Sequence, residues 1–231
     1  MGFFESISAY KANLAFSKRN FDKAVNIYKK LTSKDGVNPA IIIKYAYVSV
    51  YLGDLDNCKK QLDKVNVDGL NNDILISSYK QTQALYIWKK GDINKAIEIF
   101  KDLHNQYRNT SIYETLGYLL VINNSLTEAL EYNLEAYDYA KDNNVIVDNL
   151  AETYYFLKQY GKAKELYIKL FDPSNTNKPK FSEAYYYYGK ILLREGKKEE
   201  AKKQFEIALT MWESFLSELK HKDIKEAIDN I

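Results

Sequence analysis

The chain has 231 residues, with 33 Lys and Arg against 31 Asp and Glu, for a net charge of +2. That balance argues against a dedicated nucleic-acid binder, whose phosphate contacts leave a strong basic excess. A hydrophobic content of 46% beside 28% charged residues excludes wholesale disorder, and only 3 prolines and 9 glycines favour long helices over a turn-rich β protein.

Six small residues, Ala24, Cys58, Ala96, Ala129, Ala163 and Ala201, recur at spacings of 34, 38, 33, 34 and 38. Four positions after each stands Tyr28, Leu62, Phe100, Asn133, Tyr167 or Phe205. Residues four apart share a helix face, and a minimal side chain on that face lets a second helix cross closely. One register therefore predicts six helix–turn–helix units, at about 5–38, 39–76, 77–109, 110–143, 144–181 and 182–215, with a capping helix over 216–231.

The first unit carries Ala12, Ala24, Tyr28 and Leu31, and the second Tyr45-Ala46, Gly53-Asp54, Cys58, Leu62 and Val65. The third has Ala84, Gly91-Asp92 at its turn, Ala96, Phe100 and Leu103, and the fourth Tyr113, Leu116-Gly117, Ala129, Asn133 and Ala136. The fifth has Val147, Leu150-Ala151, Tyr154, Ala163, Tyr167 and Leu170. The sixth is the fullest, with Tyr185, Tyr188-Gly189, a turn at Gly196, then Ala201, Phe205 and Ala208 on a helix expected over Lys197 to Trp212. Extra residues in the longer second and fifth units fall at 67–73 and 172–179, where loop-like composition places them in connecting turns. Leu219, Ile224, Ala227 and Ile228 suit a helix covering the last exposed interface.

This pattern resembles the tetratricopeptide repeat family, in which a large residue opens the first helix, a Leu-Gly or Leu-Ala pair follows, and small, aromatic and small residues mark the second helix. Ser8 and Lys80 depart from the large opening residue, and Asn133 departs from the aromatic. The resemblance implies a single all-α, right-handed superhelical solenoid that binds extended or helical peptides along a concave face lined by the first helix of each unit. Carried over by register, that groove is formed by Tyr47, Tyr51, Gln81, Trp88, Glu114, Tyr118, Asp148, Glu152, Tyr155 and Tyr186. Its aromatic content, with acidic groups gathered in units four to six, would favour a protein or peptide partner with apolar and basic residues. The family's carboxylate clamp is expected to be missing, since Ala9, Lys44, Ser78 and Thr82 stand at its positions.

No other chemistry stands out. His104 and His221 are the only histidines, and the chain has no paired-cysteine or histidine metal spacing, no Walker-type glycine loop and no nucleophile elbow. Cys58 occupies a packing position. The expected function is a non-enzymatic scaffold for protein or peptide binding, with no cofactor, no metal, no nucleic acid and no membrane partner. Alternatives are a ligand-responsive regulatory sensor or a self-assembling structural solenoid, with a homodimer as the simplest assembly. No hydrophobic run reaches the roughly 18 residues a bilayer span needs, and without a basic and then apolar leader the expected location is the cytoplasm.

Overall fold

The computed structural model describes the backbone from Phe3 and the side chains from Phe4 onward, through Ile231. The described residues form α-helices and one 3₁₀ turn, with no strand. The helices are α1 (Phe3–Ser17), α2 (Phe21–Thr32), α3 (Pro39–Tyr51), α4 (Leu55–Leu62), α5 (Asp73–Lys89), α6 (Ile93–Gln106) and α7 (Thr110–Ile122). They continue with α8 (Leu126–Tyr139), α9 (Asn144–Phe156), α10 (Tyr160–Phe171), α11 (Ser182–Arg194), α12 (Lys198–Thr210) and α13 (His221–Asp229). Odd-numbered helices up to α11 open a hairpin and even-numbered ones close it.

Each hairpin turn is built the same way. One residue with positive φ follows each opening helix: Arg19, Gly53, Gly91, Asn124, Lys158 and Gly196. Each lies five positions before the small residue of its unit, so the two series share the spacings 34, 38, 33, 34 and 38. The next residue's N–H then reaches back to the carbonyl five positions earlier, as in Asn20 to Ala15 at 2.8 Å, Asp54 to Ser49 at 2.9 Å and Lys197 to Leu192 at 3.0 Å. Such a left-handed residue closes the helix and satisfies its last carbonyls. In the first three hairpins the residue after it also caps the second helix: Asn20, Asp54 and Asp92 accept the N–H groups of Lys23, Asn57 and Lys95. Asparagines cap the opening helices as well, since Asn38, Asn72, Asn109 and Asn143 accept from Ala40, Leu75, Ile112 and Val145.

The six small residues of the register are all fully buried, and so are Phe100, Asn133, Tyr167 and Phe205 four positions after four of them. At the sixth crossing a Cβ on Gly189 would lie only 2.6 Å from the Phe205 ring, so the missing side chain is what lets α11 and α12 meet.

Packing divides the chain into two compact units, the first ending at Ile99 and the second running from Phe100 to Ile231. In the first, α1 packs on α2, α3 on α4, and α3 on α5. Its core joins Ala12, Tyr28, Leu31, Ile41, Tyr45 and Val48, with the Tyr28 and Tyr45 rings stacked at 5.5 Å. In the second, α7, α9 and α11 lie side by side, each against its hairpin partner. Two core clusters follow, one around Val147, Ala163, Tyr167 and Ile191, the other around Leu192, Phe205, Ala208 and Ile224.

The extra residues behave as turn insertions. Val67–Gly69 form the 3₁₀ turn, and 172–179 form an irregular loop pinned by Asn175 Nδ2 to Leu170 O at 3.0 Å and Lys178 Nζ to Phe171 O at 3.0 Å. The sixth unit's second helix is shorter than its periodicity suggests: it ends at Thr210, and a non-helical stretch reaches Lys220 before α13 begins. Ile224 and Ala227 of α13 then cover the apolar face of α12. No helix among the described residues is long and apolar enough to cross a membrane.

Candidate functional site

Opening helices that pack side by side expose one common face, and in the second unit that face is polar where a core would be apolar. Tyr118 from α7, Asp148 and Glu152 from α9, and Glu183 and Tyr187 from α11 converge there, with the Tyr167 hydroxyl of α10 behind them. Asp148 and Glu152 are one helical turn apart, so both carboxylates point the same way. They are only 3% and 2% exposed. Asp148 Oδ1, Glu152 Oε1 and the Tyr167 hydroxyl have no partner in good hydrogen-bond geometry, although Asp148 lies close enough to Glu152 and Tyr167 to interact with both.

Burial raises the Asp148 carboxyl well above its usual range, and the charge of Glu183 raises it further. Glu152 is raised by burial and then by Asp148 and Glu183. Two like charges this deep favour the protonated form of at least one. Burial likewise raises the hydroxyls of Tyr118, Tyr167 and Tyr187, reinforced by these carboxylates.

The cover over this site is the stretch between α12 and α13. The Glu218 N–H donates to Tyr118 Oη at 2.8 Å, and the Ser217 hydroxyl donates to the Glu183 carboxylate. Lys220 Nζ donates to Ser214 O at 3.2 Å, and His221 Nε2 meets Met211 O at 3.0 Å, bracing the stretch across its own base. Beside it opens a cavity of about 420 Å³, lined by Tyr186, Tyr187, Lys190, Glu218, Asp223 and Glu226 among others.

The sequence-predicted groove residues fall into separate groups. In the first unit Tyr47 and Tyr51 join Phe16 and Phe21 in a ring cluster, with centroids 5.1–6.3 Å apart, and Lys44 Nζ lies 4.4 Å from the Tyr47 centroid. Gln81 donates to Ser77 Oγ at 3.0 Å, and buried Trp88 carries Lys89 Nζ 3.8 Å from its ring. In the second unit Glu114 accepts from Asn143 Nδ2 at 2.7 Å, tying α7 to the cap of α9. Tyr118, Asp148 and Glu152 share the site just described. Tyr155 lies 5.1 Å from Tyr187, and Tyr187 lies 5.2 Å from Tyr186, so these rings lead from the acidic site to the cavity.

Residues 5–142, more than half of the chain, match the family model described as the TT21 fifth ARM repeats domain, and residues 183–212 match that of the tetratricopeptide repeat. The chain belongs to the tetratricopeptide repeat family. A TPR repeat-containing protein of Methanocaldococcus jannaschii is 27% identical over 139 residues, covering 58% of this chain and 23% of that protein. The chain thus matches less than a quarter of that relative's length. A tetratricopeptide repeat protein of Parabacteroides merdae has a TM-score of 0.52 at 14% identity, covering 99% of this chain and 98% of that one. The C-terminal part of a TPR repeat-containing protein of Cytophaga hutchinsonii has a TM-score of 0.53 at 19% identity, covering 87% and 78%. Both likenesses show the fold.

Within this tetratricopeptide repeat fold, register reasoning missed the contribution of Tyr167, of Tyr187 and of the stretch containing Ser217 and Glu218. Tyr167 sits at a position that holds Phe100 and Phe205 in two other repeats, and its added hydroxyl was the available signal. Asn133, at the same position in the fourth repeat, bonds to Thr153 Oγ1 at 3.0 Å and to the carbonyls of Gly117 and Asn149 at 3.4 Å. It rivets α8 to α7 and α9 where an aromatic would pack. No three His, Cys, Asp or Glu side chains among the described residues are grouped so as to hold a metal ion.

Proposed function

We propose that the chain is a non-enzymatic, cytoplasmic scaffold that binds a segment of another protein along the face formed by α7, α9 and α11. One observation carries this reading: a stretch of non-helical backbone, at Ser217 and Glu218, is already seated on Tyr118 and Glu183 of that face. A surface that accepts main-chain N–H and small polar side chains in this way has the chemistry to accept them from another chain. The rings of Tyr155, Tyr186 and Tyr187 beside it supply broad contact area at low entropy cost. Support from the family is general, since tetratricopeptide arrays are built as extended binding surfaces.

Selection of a random peptide library on the full chain tests the proposal. Enriched peptides should bind the wild type and lose at least about tenfold in affinity on Tyr155→Ala, the cost of about 1.4 kcal/mol for one aromatic anchor. Enriched peptides indifferent to Tyr155→Ala and Tyr186→Ala would move the binding surface elsewhere.

A further inference from the structure

Buried ionisable groups are normally paired, because an uncompensated charge away from water is costly. Asp148 and Glu152 break that rule together: they face each other, Glu183 and the Tyr167 hydroxyl rather than a cation, and one buried oxygen of each has no donor in good hydrogen-bond geometry. Glu183, the third carboxylate at the site, accepts from the hydroxyl of Ser217, which belongs to the cover, and at 3.5 Å from that of its neighbour Ser182. The rim of the adjoining cavity repeats the sign: Glu218, Asp223 and Glu226 face one lysine, Lys190. With carboxylates beneath the strap, further acidic groups along the neighbouring cavity and the ring of Tyr187 shared by both, this region is complementary to an organic cation on a flexible stem.

We propose that the carboxylates of Asp148, Glu152 and Glu183 form a receptor for one lysine or arginine side chain of a bound protein segment, and that the stretch from Ser214 to Lys220 is a strap that vacates the site when that segment binds. The inference rests on the binding face proposed above and names the chemistry it selects. An ammonium brought under Tyr118 and Tyr187 would donate to the carboxylate oxygens of Asp148 and Glu152. The incoming segment would take over the Tyr118 and Glu183 contacts now made by Glu218 and Ser217. The strap is held to the face by the Ser217 and Glu218 hydrogen bonds and anchored by Leu219, which packs in the core with Tyr185 and Leu192, so the exchange must also release Leu219.

The test uses two acetylated, amidated and fluorescein-tagged host peptides, Ser-Phe-Leu-Xaa-Gly-Leu, with Xaa either lysine or its uncharged isostere norleucine. Anisotropy titrations on the full wild-type chain at neutral pH should show the lysine peptide binding at least about tenfold tighter, as expected of charge-assisted hydrogen bonds in a desolvated site. On Asp148→Asn/Glu152→Gln the preference should vanish. Equal binding of both peptides to the wild type would overturn the cation receptor and leave the binding face standing. Failure of both peptides to bind the wild type would overturn both readings. The wild-type comparison needs no variant, so it decides the question even if the double substitution disturbs the fold.

Discussion

A single methyl group added at Gly189 tests whether the register is a packing constraint. A Cβ there would sit 2.6 Å from Phe205 Cε1, 2.9 Å from Cδ1 and 3.1 Å from Cζ. Carbon atoms prefer about 3.5–4.0 Å, so the overlap approaches ~1 Å. The ring cannot swing clear, because Phe205 is fully buried with the Tyr186 ring 5.6 Å away. An overlap this close belongs in the upper part of the range of about 1–3 kcal/mol that overpacking costs, about 2–3 kcal/mol, and the better helix propensity of alanine returns about 1 kcal/mol. Gly189→Ala should therefore destabilise the chain by ~1–2 kcal/mol and lower its Tm by roughly 2–8 °C. Gly161 provides the control. It lies in the first turn of α10, and a Cβ there would meet nothing within 4 Å. Gly161→Ala should raise Tm, by no more than about 3 °C. Thermal unfolding followed by circular dichroism reads both. A Gly189→Ala chain as stable as wild type would refute the claim that α11 and α12 need a bare backbone where they cross.

Two further outcomes follow from buried ionisable groups. Asp148 and Glu152 are raised in the folded state, so their favourable contribution is complete below the ordinary carboxylate range near pH 4 and is lost as pH climbs toward their folded values. Urea unfolding at pH 5 and pH 8 should show wild type losing more stability across that interval than Asp148→Asn/Glu152→Gln, by about 1.4 kcal/mol per unit of upward shift that falls within it; parallel losses would count against the pair. Cys58 is fully buried and burial pushes its thiol up to about 12, so it should resist alkylation at pH 8 in the native chain and react promptly in denaturant. Native-state labelling as fast as that of a free thiol would contradict its packing position.

How much of this was legible in the sequence depends on how far apart the interacting residues lie. Crossing positions were readable because contact between neighbouring helices tolerates only a small side chain, and that constraint recurs with the repeat. Half of the left-handed turns were readable, at Gly53, Gly91 and Gly196. Arg19, Asn124 and Lys158 adopt the same backbone without glycine, where a strain of about 1–2 kcal/mol is offset by the closing hydrogen bonds of the helix. Asn38, Asn72, Asn109 and Asn143 are repeat-spaced helix caps, a pattern masked by the chain's general richness in asparagine. Register reasoning named Tyr118, Asp148 and Glu152, but neither their depth nor their cover. Depth depends on α7, α9 and α11 packing together, and the cover reaches Tyr118 from Glu218, 100 positions away. The periodicity of α12 also ran past its true end, because Met211 and Trp212 continue an apolar pattern into a stretch that leaves the helix.

The raised carboxylates and the proposed receptor make one further commitment, in protons. Burial and mutual repulsion oppose full ionisation of the covered Asp148–Glu152 pair and so favour a proton on it. A lysine side chain enters already charged, because its ordinary value is near 10.4. Its arrival reverses the local balance: an adjacent cation favours the ionised carboxylate, and the shared proton must leave. Binding of the lysine peptide should thus release protons, up to about one per peptide at pH 7 and fewer as the solution is made more alkaline. Its affinity should rise with pH over the same range. The norleucine peptide supplies no charge and should release none. Calorimetric titrations in two buffers of different ionisation enthalpy count the protons directly. Tight lysine binding with no proton release would mean that the pair is already ionised beneath the strap. In that case burial would not be holding a proton on Asp148 and Glu152, and the pH-dependent loss of stability should be absent as well.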